Sequence, residues 1–435
     1  MNTSPQIFHG EWWVPAIADR DVLGTVFEPH KILGYEKKYT GTLTYYEDDD
    51  SILELYHVPS DYHWKHYYEN DVMWGRDSNG NIFTLFSVLK TKQQIGELSS
   101  IKFVVGLILK GEHVNSIHYK CFNKCIAQFC YLNNWLFDVT KKFFNPLYKD
   151  NVYHLEVALR DKKELLEVEL ESGLFWRLHH RIIAQETLKG LAFNKAPFFE
   201  IESTQSISIS SFLRMITEFE QFLSIALYGE QNATGIQLIN TETKSECVLL
   251  FKKEISLDPT VFAVIKFSLL KDKLPSMLKK WHVSFENIAP ISNYLIRSLQ
   301  KKNRFDVPDF LIIAQALDGY HKRFVNKKDG KDHKKYEDGI KILLNQFKDL
   351  EYIQRCHINP KVLTQSRDKY SHLLLDEEKP LAAKGEDLYW LTEKCKILLT
   401  CCILNMLGLT NKEINLCCDQ SPISQILYSL PSEED

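Results

Sequence analysis

Pro360-Lys361-Val362-Leu363-Thr364-Gln365-Ser366-Arg367-Asp368-Lys369-Tyr370-Ser371-His372-Leu373 reads as one helix, and the chain around it follows from that reading. Proline stands in the first turn, where its missing N–H costs nothing. Leu373-Leu374-Leu375 closes the run before Asp376-Glu377-Glu378 and Pro380. Arg367, Asp368 and His372 put a permanent cation, a carboxylate and an imidazole on little more than one turn. Histidine titrates near neutrality, so it can take a proton from a ribose 2′-hydroxyl or return one to a leaving 5′-oxygen. A guanidinium neutralises charge building on phosphorus oxygens. Such a set requires no metal. Asp368 and His372, four apart, share a face, so the carboxylate can orient or charge the ring. Arg367 and His372, five apart, point about 140° away from each other on an ideal helix. An irregular turn, a second helix or a second subunit would bring both to one phosphate.

The same helical period extends in both directions from this stretch. Helices are predicted roughly at 275–302, 307–325, 332–349, 360–375, 385–408 and 411–418. Pro308 sits in the first turn of the second and Gly408 ends the fifth. Upstream of residue 272 the period is that of strands. Thr42-Leu43-Thr44-Tyr45-Tyr46, Ser51 to Tyr56, Ile82 to Val88 and Lys102 to Ile108 are short, rich in β-branched or aromatic residues, and separated by turn chemistry. Asp77-Ser78-Asn79-Gly80 is a hairpin signal. A helix over Ser211 to Leu223 interrupts the strands, which resume at Gly235 to Ile239 and Cys247 to Phe251. The predicted fold is α+β and multidomain. Residues 1–272 form an antiparallel, β-sandwich-like domain and residues 273–435 an α-helical bundle.

Composition fits two folded domains, with 435 residues, 44% hydrophobic and 12% aromatic. A net charge of −4 supplies no global field for nucleic acid, so any RNA contact must be local. Lys271 to Lys341 carries sixteen Lys or Arg against nine Asp or Glu, a net +7. Lys301, Lys302, Arg304, Lys322 and Arg323 are the candidate phosphate-binding residues of that stretch. Met1-Asn2-Thr3-Ser4-Pro5 lacks a basic region leading into an apolar run. The longest apolar tract, Ile397 to Leu409, is interrupted by Thr400 and Asn405 and is short for a membrane span. These features predict a cytoplasmic protein without membrane association. Ten cysteines form no Cys-x-x-Cys, and the adjacent pairs Cys401-Cys402 and Cys417-Cys418 suit buried thiols. His118 with Cys121, Cys125 and Cys130 matches no zinc spacing. Neither a metal nor a cofactor is expected. Trp12, Trp13, Trp74, Trp135 and Trp176 are expected to pack the sheets.

Three stretches together resemble the Apea-like HEPN family: Arg367 to His372; Gln315-Ala316-Leu317-Asp318-Gly319-Tyr320-His321-Lys322-Arg323; and Phe8 to Pro15 with Gly41 to Tyr45. The resemblance implies a metal-independent endoribonuclease that dimerises, often bringing the motifs of two protomers to one cleft, and cuts single-stranded or tRNA-like RNA. It assigns Arg367 to the phosphate, His372 to acid or base chemistry and Asp368 to orientation. Asp318, Tyr320 and His321 either support that pocket or only pack against it. A sensing or regulatory role for the N-terminal half, antiphage action by abortive infection and a phage protein as trigger are further implications. The alternative is a non-catalytic module that binds RNA or protein, dimerises, and recognises a partner through its β domain.

Overall fold

The computed structural model describes residues 4–15, 37–58, 72–94, 99–136, 147–149, 152–154, 163–187, 190–253, 263–300, 306–326, 335–419 and 421–430. Six strands open the chain: β1 (Gln6–Trp13), β2 (Tyr39–Tyr45), β3 (Ser51–Tyr56), β4 (Val72–Asp77), β5 (Ile82–Gln94) and β6 (Ser100–Lys110). They lie in the order β6-β3-β2-β1-β4-β5, and β5 pairs back onto β6, closing an antiparallel barrel. Alternation places Leu43, Leu53, Leu55, Phe83, Leu85 and Phe103 inside, each at most 1% exposed. Trp12 is the largest side chain in this interior. Its indole fits because β4 carries Gly75, where a Cβ would stand 2.1 Å from the ring. The β4–β5 hairpin turns on the expected residues. Asp77 Oδ1 accepts from the Asn79 and Asn81 N–H groups, and Gly80 takes φ +82°.

Leaving the barrel, β6 also pairs with β14 (Glu246–Phe251) and so enters a second, open sheet. With β7 (Lys120–Phe129), β10 (Lys163–Glu171), β11 (Leu174–Thr187), β12 (Gly190–Ser208) and β13 (Ala233–Asn240), its order is β10-β11-β12-β7-β13-β14-β6, antiparallel throughout. A separate two-stranded ladder joins β8 (Leu147–Lys149) to β9 (Val152–His154). The antiparallel β domain is thus a closed barrel and an open sheet that share one strand.

Helix α1 (Leu132–Trp135) is a single turn, and α2 (Ile209–Leu227) lies on the sheet. Ser208 caps α2 by accepting the Ser211 N–H. The Phe219 ring of α2 stacks on Phe199 at 3.9 Å, with Trp176 edge-on to both. Trp12, Trp135 and Trp176 are buried as expected, whereas Trp13 and Trp74 are half-buried and pack against His113.

The helical half contains α3 (Phe267–Leu270), α4 (Leu274–Gln300), α5 (Val307–Tyr320), α6 (Tyr336–Gln346), α7 (Glu351–Cys356), α8 (Pro360–His372), α9 (Gly385–Met406), α10 (Asn411–Cys418) and α11 (Pro422–Tyr428). The short α3, α7 and α11 have no counterpart in the predicted set. Helix α4 joins the two halves. Trp281 Nε1 donates to the Glu218 carbonyl at 2.8 Å, and Ser292 Oγ donates to Gln221 Oε1 at 2.8 Å. One apolar core therefore runs from the open sheet through the bundle, while the barrel interior is a second core. All ten cysteines are free thiols and only Cys130 is exposed. Among the described residues no helix is long and apolar enough to cross a membrane.

At the same junction His282 Nδ1 lies 2.6 Å from the buried Glu218 carboxylate. That hydrogen bond, working against partial burial, raises the imidazole above its ordinary range, and Glu171 adds to the rise. A raised folded-state value means the stabilisation is complete below the unfolded imidazole's pKa of about 6.5 and is lost as pH climbs through the folded value. His282→Gln is therefore expected to cost about 1 kcal/mol in urea melts near pH 5.5 and distinctly less near pH 9. An equal cost at both pH values would remove the ion pair from the account.

Candidate active site

Helix α8 carries the Arg-Asp-x-x-x-His stretch and is built as its sequence suggests. Asn359 caps it by accepting the Lys361 and Val362 N–H groups at 2.9 and 3.3 Å, and Pro360 follows. Leu363 and Ser366 face inward, while Leu373 ends the helix in the left-handed conformation at φ +53°. The helix is regular through His372, so no irregular turn reduces the angle between Arg367 and His372.

Arg367 is held from two sides. Its Nη1 donates to Asp368 Oδ1 at 3.0 Å, and its guanidinium lies over the Tyr336 ring, 5.3 Å from the centroid. Tyr336 is itself fixed, since its hydroxyl donates to the Ala314 carbonyl of α5 at 3.2 Å. Burial, then Cys395 and Asp318, push its phenol well above the ordinary range. The Arg367 side chain is 37% exposed, so solvent and a ligand can reach it. One guanidinium has five N–H donors, which leaves several beyond the one given to Asp368.

Asp368 does not reach its neighbour on the helix face. Oδ1 accepts from Arg367 and Oδ2 from Lys379 at 3.2 Å, so the carboxylate orients the guanidinium and not the His372 ring. Partial burial works to raise this carboxyl, but the Arg367 and Lys379 hydrogen bonds outweigh it and hold the group below its usual range. His372 stands in the last turn of α8, exposed.

Lys379 arrives on a strap, residues 379–384, that folds back along α8. Leu381 N–H donates to Gln365 Oε1 at 2.9 Å, Ala383 N–H to Ser366 Oγ at 2.8 Å, and Tyr370 Oη–H to the Ala383 carbonyl at 2.8 Å. At the near end of the strap Lys369 and Lys384 both bind Asp376, whose carboxyl is lowered to about 2 chiefly by those two hydrogen bonds. Sequence spacing reveals neither Lys379 nor Tyr336. One follows Asp368 by eleven residues in a proline-containing loop and the other precedes Arg367 by thirty-one.

The earlier helix divides its candidates. Tyr320 is buried and donates to the Cys402 carbonyl at 2.7 Å, a packing role. His321 is buried against Gly339 of α6, where a Cβ would stand 2.9 Å from Nδ1. This close approach seats α6, and with it Tyr336, on α5. Asp318 is near enough to Tyr336 to act on its phenol, and it pairs with Lys322 at 2.7 Å. Arg323 is exposed and donates to the Asn287 carbonyl. A π-helical turn, His321–Val325, follows Gly319-Tyr320. Lys301, Lys302 and Arg304 lie outside the described residues. Among the described residues no cluster of three or more His, Cys, Asp or Glu side chains could hold a metal, the His118 and Cys121 region included.

The family model for ApeA N-terminal domain 1 matches residues 7–281, the barrel, the open sheet and the start of α4. The model for Apea-like HEPN matches residues 311–413, from α5 to α10. The chain belongs to the ApeA family. Its HEPN domain contains the whole of α8, the strap and Tyr336, and this pair of domains marks a HEPN nuclease family of antiphage defence. No curated protein and no solved structure matches the chain.

Proposed function

We propose that the HEPN domain is a metal-independent endoribonuclease that cuts single-stranded or tRNA-like RNA in the cytoplasm. Its active cleft is shared by two copies of the chain. Arg367 binds the scissile phosphate and neutralises the charge that builds on it, His372 moves the proton, and Asp368 holds the guanidinium in place. The observation carrying this reading is that a guanidinium fixed by Asp368 and Tyr336 and an exposed imidazole occupy the same helix. They diverge along a regular helix, which favours a second copy completing the cleft. The barrel and open sheet then act as the sensing part, with a phage protein as trigger of abortive infection. Cleavage of labelled RNA in EDTA by the wild type, Arg367→Ala and His372→Ala tests the reading, and equal rates in all three would overturn it.

The surface beside His372 suits such an association. Leu373 is 88% exposed and Leu375 68%, a large apolar area for a residue pair next to a polar motif. Leu375→Glu is expected to shift the protein from dimer to monomer in sedimentation velocity and to lower cleavage with it. An unchanged mass distribution would place the interface elsewhere.

A further inference from the structure

We infer that Lys379 is a second phosphate-binding cation of the RNA site, delivered to the motif helix by the 379–384 strap; this rests on the RNA reading above. Asp368 offers two oxygens, and each is taken by a different cation, Arg367 at 3.0 Å and Lys379 at 3.2 Å. A phosphodiester likewise presents two non-bridging oxygens, so two cations that converge on one carboxylate are also placed to converge on one phosphate. The cluster keeps a net charge of +1 with Asp368 ionised, and Asp368 stays ionised because its carboxyl is lowered.

The way the strap is attached supports a binding role. Three hydrogen bonds to Gln365, Ser366 and Tyr370 fix its backbone, while Leu381 remains 45% exposed. Polar groups of the motif helix thus set where Lys379 stands. The Lys379 side chain is 26% exposed, so the ammonium can exchange Asp368 for a ligand without leaving the surface. A lysine serving only as a pin would be equally served by these backbone tethers.

The test uses the full chain and a short 2′-O-methyl RNA oligonucleotide, which binds but lacks the 2′-hydroxyl needed for cleavage. Binding is followed by fluorescence anisotropy across a salt series for the wild type, Lys379→Gln, Lys379→Arg and Gln365→Ala. Lys379→Gln is expected to weaken binding and to reduce the slope of log K against log salt by about 0.7, the loss of one phosphate contact to a single strand. Lys379→Arg keeps the slope. Gln365→Ala removes a tether and no charge, so it too keeps the slope. An unchanged slope in Lys379→Gln, or no binding by the wild type, overturns the inference. Binding with the expected slope change but no cleavage of ordinary RNA would instead remove the nuclease reading and leave Lys379 in place.

Discussion

Replacing His372 by Ala is expected to lower RNA cleavage by about 100- to 10,000-fold, with most of the loss in kcat. An acid or base acts on a proton in flight, so its removal raises the transition state while leaving bound RNA nearly as stable. Arg367→Ala is expected to lose about 100- to 1,000-fold and to weaken binding as well, because a guanidinium meets the phosphate before and during reaction. The two variants also report on the shared cleft. If each cleft draws on both copies, mixing the two inactive proteins restores part of the activity, since a mixed dimer retains one intact Arg367 and one intact His372. Single-turnover cleavage measures both effects. A mixture as inactive as its parents would confine the chemistry to one chain, and a His372→Ala rate within a few-fold of wild type would exclude the imidazole as proton carrier.

The second large effect lies in the bundle, at Lys396 of α9. Its side chain is 6% exposed, and its ammonium is bound by Glu393 at 2.7 Å, Asp309 of α5 at 3.3 Å and the Ser298 carbonyl of α4 at 3.3 Å. Three helices therefore meet at one buried charge. Lys396→Met removes that cation and leaves two carboxylates desolvated beside each other, which is expected to cost about 3–5 kcal/mol. The denaturation midpoint in urea reports it. Replacing Asp309, Glu393 and Lys396 together by apolar residues of similar volume is expected to recover most of the loss, because a buried ion cluster contributes little net stability over good apolar packing. A Lys396→Met protein that melts with the wild type would show that water reaches the site.

Much of the architecture is written locally. Thr42 to Tyr45 alternates and becomes β2, Asp77-Ser78-Asn79-Gly80 turns as its side chains demand, and Pro308, Pro360 and Gly408 mark helix boundaries close to where helices begin and end. Each of those outcomes depends on residues within a few positions of one another. The α+β order follows from them, because a change of period from two to 3.6 needs no distant partner. The Arg-Asp-x-x-x-His stretch is visible for the same reason.

Tertiary structure alone decided the rest. That β5 returns to β6 and closes a barrel is a pairing between strands, and the alternation of either strand is the same in a sandwich. That Asp368 binds Lys379 instead of His372, and that Tyr336 lies against Arg367, depends on where a loop and a separate helix come to rest. Lys396 reads as any helical lysine until α4 and α5 close over it. Hydrogen-bonding periodicity is a property of neighbours along the chain. Ion pairing and burial are properties of neighbours in space, and a single sequence records the first kind directly and the second only through the fold.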